Sequence, residues 1–235
     1  MNWQWQVFFQ DPGGNDPTYW QWMVSAWGWT LSVALLALLV ALVSGSLMGI
    51  LRTVPHKGLV FIGNAWTELF RNIPLLVQII LWYHVIPGIF KSLQSVPSFI
   101  LVVFALGFFT SARISEQVRA GIQSLPRGQR YAGLAVGFTL PQTYRYVLLP
   151  MAFRIVLPPL TSESMNIVKN SSVAFAVSVT ELTMFAMQAQ EETSRGVEIY
   201  LAVTALYFIS AFVINRIMQF IEGRLQIPGH SSGGK

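Results

Sequence analysis

Long apolar runs separated by short polar connections dominate this chain. The first uncharged run extends from about Trp27 to Leu51 and stops at Arg52. A second, Asn72 to Phe90, lies between Arg71 and Lys91, and a third, Ser92 to Ala112, lies between Lys91 and Arg113. A fifth, shorter run covers Ile199 to Asn215. A helix needs roughly 17–25 apolar residues to cross the hydrocarbon core of a bilayer, so each run predicts a spanning helix. The fourth run, Ile155 to Thr180, is long enough but contains Pro158, Pro159, Glu163 and Lys169. It predicts a span broken at the paired prolines, whose two charges face a cavity or protein neighbours rather than lipid.

Composition agrees. Of 235 residues, 53% are hydrophobic and 11% charged, against about 25% charged in a soluble domain. The expected fold is an all-α integral membrane protein with five transmembrane helices. Cysteine is absent, which excludes a disulfide framework, a thiol nucleophile and cysteine-held metals. The net charge of +5 looks like a nucleic-acid signal until its location is read. All lysines and arginines except Lys91, Lys169 and Arg195 fall in 52–71, 113–154 and 216–235. Positive charge collects on the inner side of a membrane protein, so the N-terminus is expected outside, the C-terminus inside, and no nucleic-acid partner. Residues 1–25 carry Trp3, Trp5, Tyr19, Trp20 and Trp22 with Asp11 and Asp16 but no base. They read as an outer interfacial tail, not a secretory signal, which needs a basic start. A membrane domain is expected over 26–222, followed by an inner tail, 223–235.

The longest polar connection runs from 119 to 154. It holds five arginines, no acid, and Pro126, Pro141 and Pro150. The prolines read as helix ends, with a short helix between them over Tyr131 to Thr139. Its spacing, Tyr131-Ala132-Gly133, three residues, Gly137, nine residues, Val147-Leu148-Leu149-Pro150, resembles the EAA loop of ABC-importer permease subunits (E-A-A-x3-G-x9-I-x-L-P). Arg71-Asn72-Ile73-Pro74-Leu75-Leu76-Val77-Gln78, Leu157-Pro158-Pro159-Leu160 and Asn166-Ile167-Val168-Lys169-Asn170-Ser171-Ser172 extend the likeness. Together they resemble the polar amino-acid branch, most nearly its glutamate/aspartate importers. Tyr131 departs from the motif's glutamate, and Gly133 from its second alanine.

The resemblance implies a type I ABC importer transmembrane domain in a bacterial inner membrane. It also implies that loop 127–150 couples to an ATPase dimer through Arg127, Gly128, Gln129, Arg130, Tyr131, Ala132, Gly133, Gly137, Phe138 and Pro150. Gly137 is expected in a tightly packed helix seat. The chain has no G-x4-G-K-[ST] loop, so ATP and Mg would be bound by the partner. A second permease subunit, homologous rather than a copy, and an external amino-acid-binding protein complete the expected assembly, which sits in membrane lipid.

Within the spans, Arg71 can pair with Glu68 on one helix face or line the path of an anionic substrate. Glu163 shares a stripe with Asn166 and Asn170, whose amides would hydrogen-bond its carboxylate, and could meet a substrate amino group. Lys169 lies off that stripe and serves either helix packing or a substrate carboxylate. His84 reads as an interface residue, and Arg113 with Glu116 as a structural pair. No metal cluster or hydrolase motif occurs, so the chain is not expected to be an enzyme. The alternatives are an importer of another polar amino acid, or an ion-gradient transporter with Glu163 as its proton or cation site; the latter leaves the loop spacing unexplained.

Overall fold

The computed structural model describes residues 3–13 and 18–225. Eight helices form the frame among them: α1 (Tyr19–Leu51), α2 (Lys57–Asn72), α3 (Leu75–Ile89), α4 (Ser98–Gln123), α5 (Arg127–Ala135), α6 (Leu140–Val177), α7 (Leu182–Thr193) and α8 (Gly196–Leu225). Three of these, α1, α4 and α8, are long and apolar enough to cross a membrane alone. Two bent pairs, α2 with α3 at 104° and α6 with α7 at 54°, bring the possible spans to five.

The boundaries differ from the apolar runs, each for a local reason. Helix α1 starts at Tyr19 rather than Trp27 because Thr18 caps it, its hydroxyl accepting from the Gln21 amide. Residues 19–25 therefore form its first turns. The run expected as a second span from Asn72 is a corner. Lys57–Asn72, read as an inner loop, is helical, and the chain turns at Ile73-Pro74 before α3 begins. Proline at this point disfavours helix in the preceding residue, and Ile73 is extended. The Gln78 side chain then donates to the stranded carbonyls of Phe70 and Ile73, at 2.8 and 2.9 Å.

The expected break at Pro158-Pro159 is absent: α6 continues through both. Pro150 likewise follows a π-helical turn, Tyr144–Leu148, without ending the helix. The break comes later, at Ser178, which adopts φ 59°. Glu181 then caps α7, accepting from the amides of Thr183 and Met184, while Tyr207 of α8 donates to it at 2.8 Å. A carboxylate buried in this way is fully partnered. The third run starts and ends later than read, as α4, and the fifth is longer at both ends, as α8.

Helices α1 and α4 form the centre and run parallel. Ala37, Ala41, Gly45 and Gly49 recur every fourth residue along α1 and are buried. They face Gly107, Ser111 and Ser115 of α4. A Cβ on Gly45 would lie 2.7 Å from the Ser111 carbonyl and from Ile114 Cβ; one on Gly49 would lie 2.7 Å from Val118 Cβ. Small residues at this spacing let two backbones touch, which substitutes packing for the hydrophobic drive that lipid does not provide. Around the seam, Val33, Ile79, Leu106 and Ile167 form one core cluster, and Ile114, Tyr144, Leu148 and Val156 another. A third cluster joins Val7 and Phe8 of an N-terminal 3-10 turn to α1, α7 and α8.

Gly45→Val should lower stability by about 1–3 kcal/mol through overpacking. Gly28→Ala, where a Cβ meets nothing within 4 Å, should change it by less than about 0.5 kcal/mol. Thermal unfolding of the two variants in one detergent checks the contrast.

Candidate functional site

The polar loop folds into a projecting helical hairpin. Pro126 precedes α5, where its missing N–H is no loss and its fixed φ suits a helix start. Helix α5 covers Arg127–Ala135, so the expected short helix exists but begins four residues earlier than Tyr131. It ends in a Schellman motif: Gly137 donates to the Leu134 carbonyl at 3.0 Å and Phe138 to that of Gly133 at 3.1 Å. The motif needs a left-handed residue, and Gly137 has φ +93°. Thr139 then starts α6, its amide and hydroxyl both donating to Gln142 Oε1.

Gly137 and Gly133 serve different needs within the hairpin. A Cβ at Gly137 meets nothing of this chain within 4 Å, and its backbone angle is what requires glycine. Gly133 is the packed one. It is buried, and a Cβ would lie 2.8 Å from Thr143 Cγ2, so it sets the distance between α5 and α6.

The hairpin's outer surface is apolar. Val136 is 77% exposed and Tyr131 65%, with Leu134, Phe138 and Tyr146 exposed beside them. Arg127, Gly128, Ala132 and Pro150 are also exposed, and Gln129 and Arg130 half-buried. These apolar side chains lie side by side on the hairpin, with arginine and glycine around them. Behind the patch, the Tyr144 hydroxyl donates to the Thr53 carbonyl at 2.8 Å. The hairpin is thus tied to the turn between α1 and α2.

Arg52, next to Thr53, was legible only as an orienting charge, yet it organises the polar interior. Its side chain is 3% exposed. It donates to Asn64 (2.8 Å), Thr67 (3.3 Å), Ser115 (3.2 Å) and Glu116 (2.9 Å). A buried guanidinium holds because its donors are matched. Glu116 also accepts from Arg71 at 3.4 Å, and Arg71 pairs with Glu68 at 2.7 Å as its spacing predicts.

Arg113 does not pair with Glu116. It reaches Glu163 of α6 at 3.8 Å, and Gln117 donates to the same carboxylate at 3.3 Å. Four-residue spacing on α4 puts Arg113 and Gln117 on the face toward α6, whereas Glu116 turns to α2. Glu163 is 7% exposed, and its partners come from α4 rather than from Asn166 and Asn170. Those asparagines are half-buried further along α6, and Lys169 is exposed with no carboxylate partner among the described residues. His84 lies in the π-helical turn Leu81–Val85 of α3, exposed, its ring edge-on to Tyr83. No group of three metal-ligating side chains occurs among the described residues.

Residues 41–227 match the family of binding-protein-dependent transport system inner membrane components. The chain belongs to that family. It is 40% identical over 243 residues to the glutamate/aspartate import permease protein GltJ of Escherichia coli (strain K12), covering 99% of each chain. It is 34% identical over 203 residues to the glutamine transport system permease protein GlnP of the same strain, covering 84% of this chain and 90% of that one. Among solved structures, an amino acid ABC transporter matches with a TM-score of 0.76 at 29% identity, over 88% of this chain and 95% of that one. An inward-facing MetNI methionine ABC transporter, 20% identical with a TM-score of 0.74 over 87% and 96%, shares the fold. In this family frame the hairpin and the polar side chains around Arg52 and Glu163 carry the functional interest.

Arg52→Ala should cost about 2–3 kcal/mol, because it strands partners that a charged donor satisfies. Arg71→Ala should cost less than about 1 kcal/mol, since that ion pair is half exposed. Unfolding midpoints of the two purified variants give the comparison.

Proposed function

We propose that the chain is one permease half of an ATP-driven importer that carries glutamate and aspartate across a bacterial inner membrane. The end-to-end match to the GltJ permease at 40% identity supports this reading most directly. The membrane domain, 26–222, crosses five times, with the bent pairs α2–α3 and α6–α7 each counted as one span, the N-terminus outside and the C-terminus inside. The arginine-rich hairpin and the end of α8 then share the inner side.

Alternating access needs two halves around a shared axis, and this chain has no internal repeat, so a second, related permease subunit completes the pathway. An external amino-acid-binding protein delivers substrate. A cytoplasmic ATPase dimer binds the ATP and Mg that this chain has no loop to hold, and seats the α5 hairpin through Tyr131, Leu134, Val136 and Phe138. Its closure moves the hairpin as a rigid lever. The capped, glycine-packed joint keeps α5 and α6 together, and the contact of Tyr144 with Thr53 passes the displacement to the Arg52 network and so to α2 and α4. Tyr131 in place of the motif's glutamate fits an apolar rather than ionic seat.

For substrate, Lys169 is free to meet a carboxylate, whereas Arg71 is shared between Glu68 and Glu116 and Arg113 serves Glu163. Asn166 and Asn170 line the same stretch of α6 and offer amides. With Arg113 and Gln117 already on its carboxylate, Glu163 orients this belt more than it attracts a cation, which disfavours an ion-gradient mechanism.

Isolation of the tagged chain in mild detergent should bring down an ATPase and a second permease, and the assembly in liposomes should show ATP-dependent uptake of labelled glutamate. Lys169→Ala should abolish that uptake with the assembly intact; unchanged uptake removes Lys169 from the path. Gly137→Val, which forces a β-branched residue to positive φ, should leave the chain in the membrane. It should also reduce co-purified ATPase about tenfold, since left-handed backbone costs about 1–2 kcal/mol. Uptake of ions without ATP, or isolation of the chain alone in several detergents, would contradict the importer reading.

A further inference from the structure

Along the second half of α8, Phe208, Phe212, Arg216, Phe220 and Arg224 recur at every fourth position. Each four-residue step drifts about 40° around a helix, so successive members are neighbours on one winding ridge, and all five side chains are exposed. Phe208 stacks on Phe212 with centroids 6.2 Å apart. The Arg216 guanidinium lies 4.8 Å from the Phe212 ring and that of Arg224 5.0 Å from the Phe220 ring. Neither arginine has a carboxylate partner among the described residues. Glu222, the acid nearest in sequence, is two residues from Arg224 and so faces another side.

The surroundings identify what the stripe meets. Helix α8 is the least covered of the three span-length helices, and Val213 and Ile217 beside the stripe are exposed too. Both guanidiniums stand just past the apolar run that ends at Asn215, where a spanning helix meets the headgroup layer. Both fold back over the preceding phenyl ring, toward the apolar part of the helix, instead of reaching past the helix end to water. A guanidinium stacked on a ring keeps its edge N–H groups available, in the fork that matches a phosphate.

We propose that this ridge binds anionic phospholipid: Arg216 and Arg224, about 12 Å apart along the helix axis, each hold a headgroup phosphate, and Phe208 and Phe212 pack against the acyl chains. The orientation proposed above puts the site in the inner leaflet, but binding itself does not depend on that orientation or on the substrate carried.

The test is native mass spectrometry of the detergent-purified assembly after exchange into equal amounts of phosphatidylglycerol and phosphatidylcholine. The wild type should retain phosphatidylglycerol preferentially. The Arg216→Gln/Arg224→Gln pair should lose that preference by about 25-fold, about fivefold per arginine at a membrane surface. Lys57→Gln, outside the stripe, should match wild type. Equal retention of the two lipids by wild type, or undiminished preference in the double variant, overturns the proposal. A photoreactive phenylalanine in place of Phe220 gives a second reading in an otherwise unaltered assembly. An adduct with phospholipid supports the site, and one with another subunit shows that a protein covers the stripe and overturns it. ATP-driven uptake is measured separately, so failure of the lipid site is distinct from failure of the transport reading.

Discussion

Backbone contact between α1 and α4 is the constraint on which the rest depends. In lipid, two apolar helices gain little by hiding apolar surface from each other, so attraction comes from close packing and from hydrogen bonds sheltered by it. Gly45 and Gly49 on one side and Gly107, Ser111 and Ser115 on the other bring the helices near enough for Ser115 to join a network with Thr67 and Arg52. Side chains of ordinary size at these positions would separate the helices and leave the Arg52 guanidinium without half its partners. The apolar seam and the polar network are thus one arrangement, seen from two sides.

Every interruption of helix in the apolar region has its own polar repair. At Ile73-Pro74 the amide of Gln78 covers two carbonyls. At Ser178 the carboxylate of Glu181 covers two amides, and Thr30 of α1 accepts from Leu182 at 3.1 Å. Backbone groups without water must be satisfied internally, which explains why polar residues occur in runs that otherwise resemble lipid-facing helix. The bent pairs therefore have defined corners.

Much of this was legible in the sequence. Apolar runs announced the membrane fold, and the loop spacing from Tyr131 to Pro150 singled out the hairpin. The spacing of Arg71 and Glu68 foretold their pair. What misled was local punctuation read without context. Pro158 and Pro159 promise a break, yet α6 passes through them because each missing hydrogen bond can be tolerated inside a packed helix; Ser178, with no such signature, is where the chain turns. The left-handed angle of Gly137 shows only once the helix end is built, and the close packing that suits Gly133 is made against Thr143, which only the folded hairpin brings beside it. Arg52 and Arg113 find partners on other helices, a choice that pattern along one helix does not contain.

In the proposed mechanism the exposed apolar face of the α5 hairpin seats an ATPase and moves with it. A photoreactive amino acid in place of Val136, 77% exposed at the tip of that face, tests this in native membranes. After illumination, mass spectrometry should find the chain joined to a nucleotide-binding subunit, with a yield that changes when ATP is supplied. Adducts with lipid alone, or with no ATPase under any nucleotide condition, would contradict it.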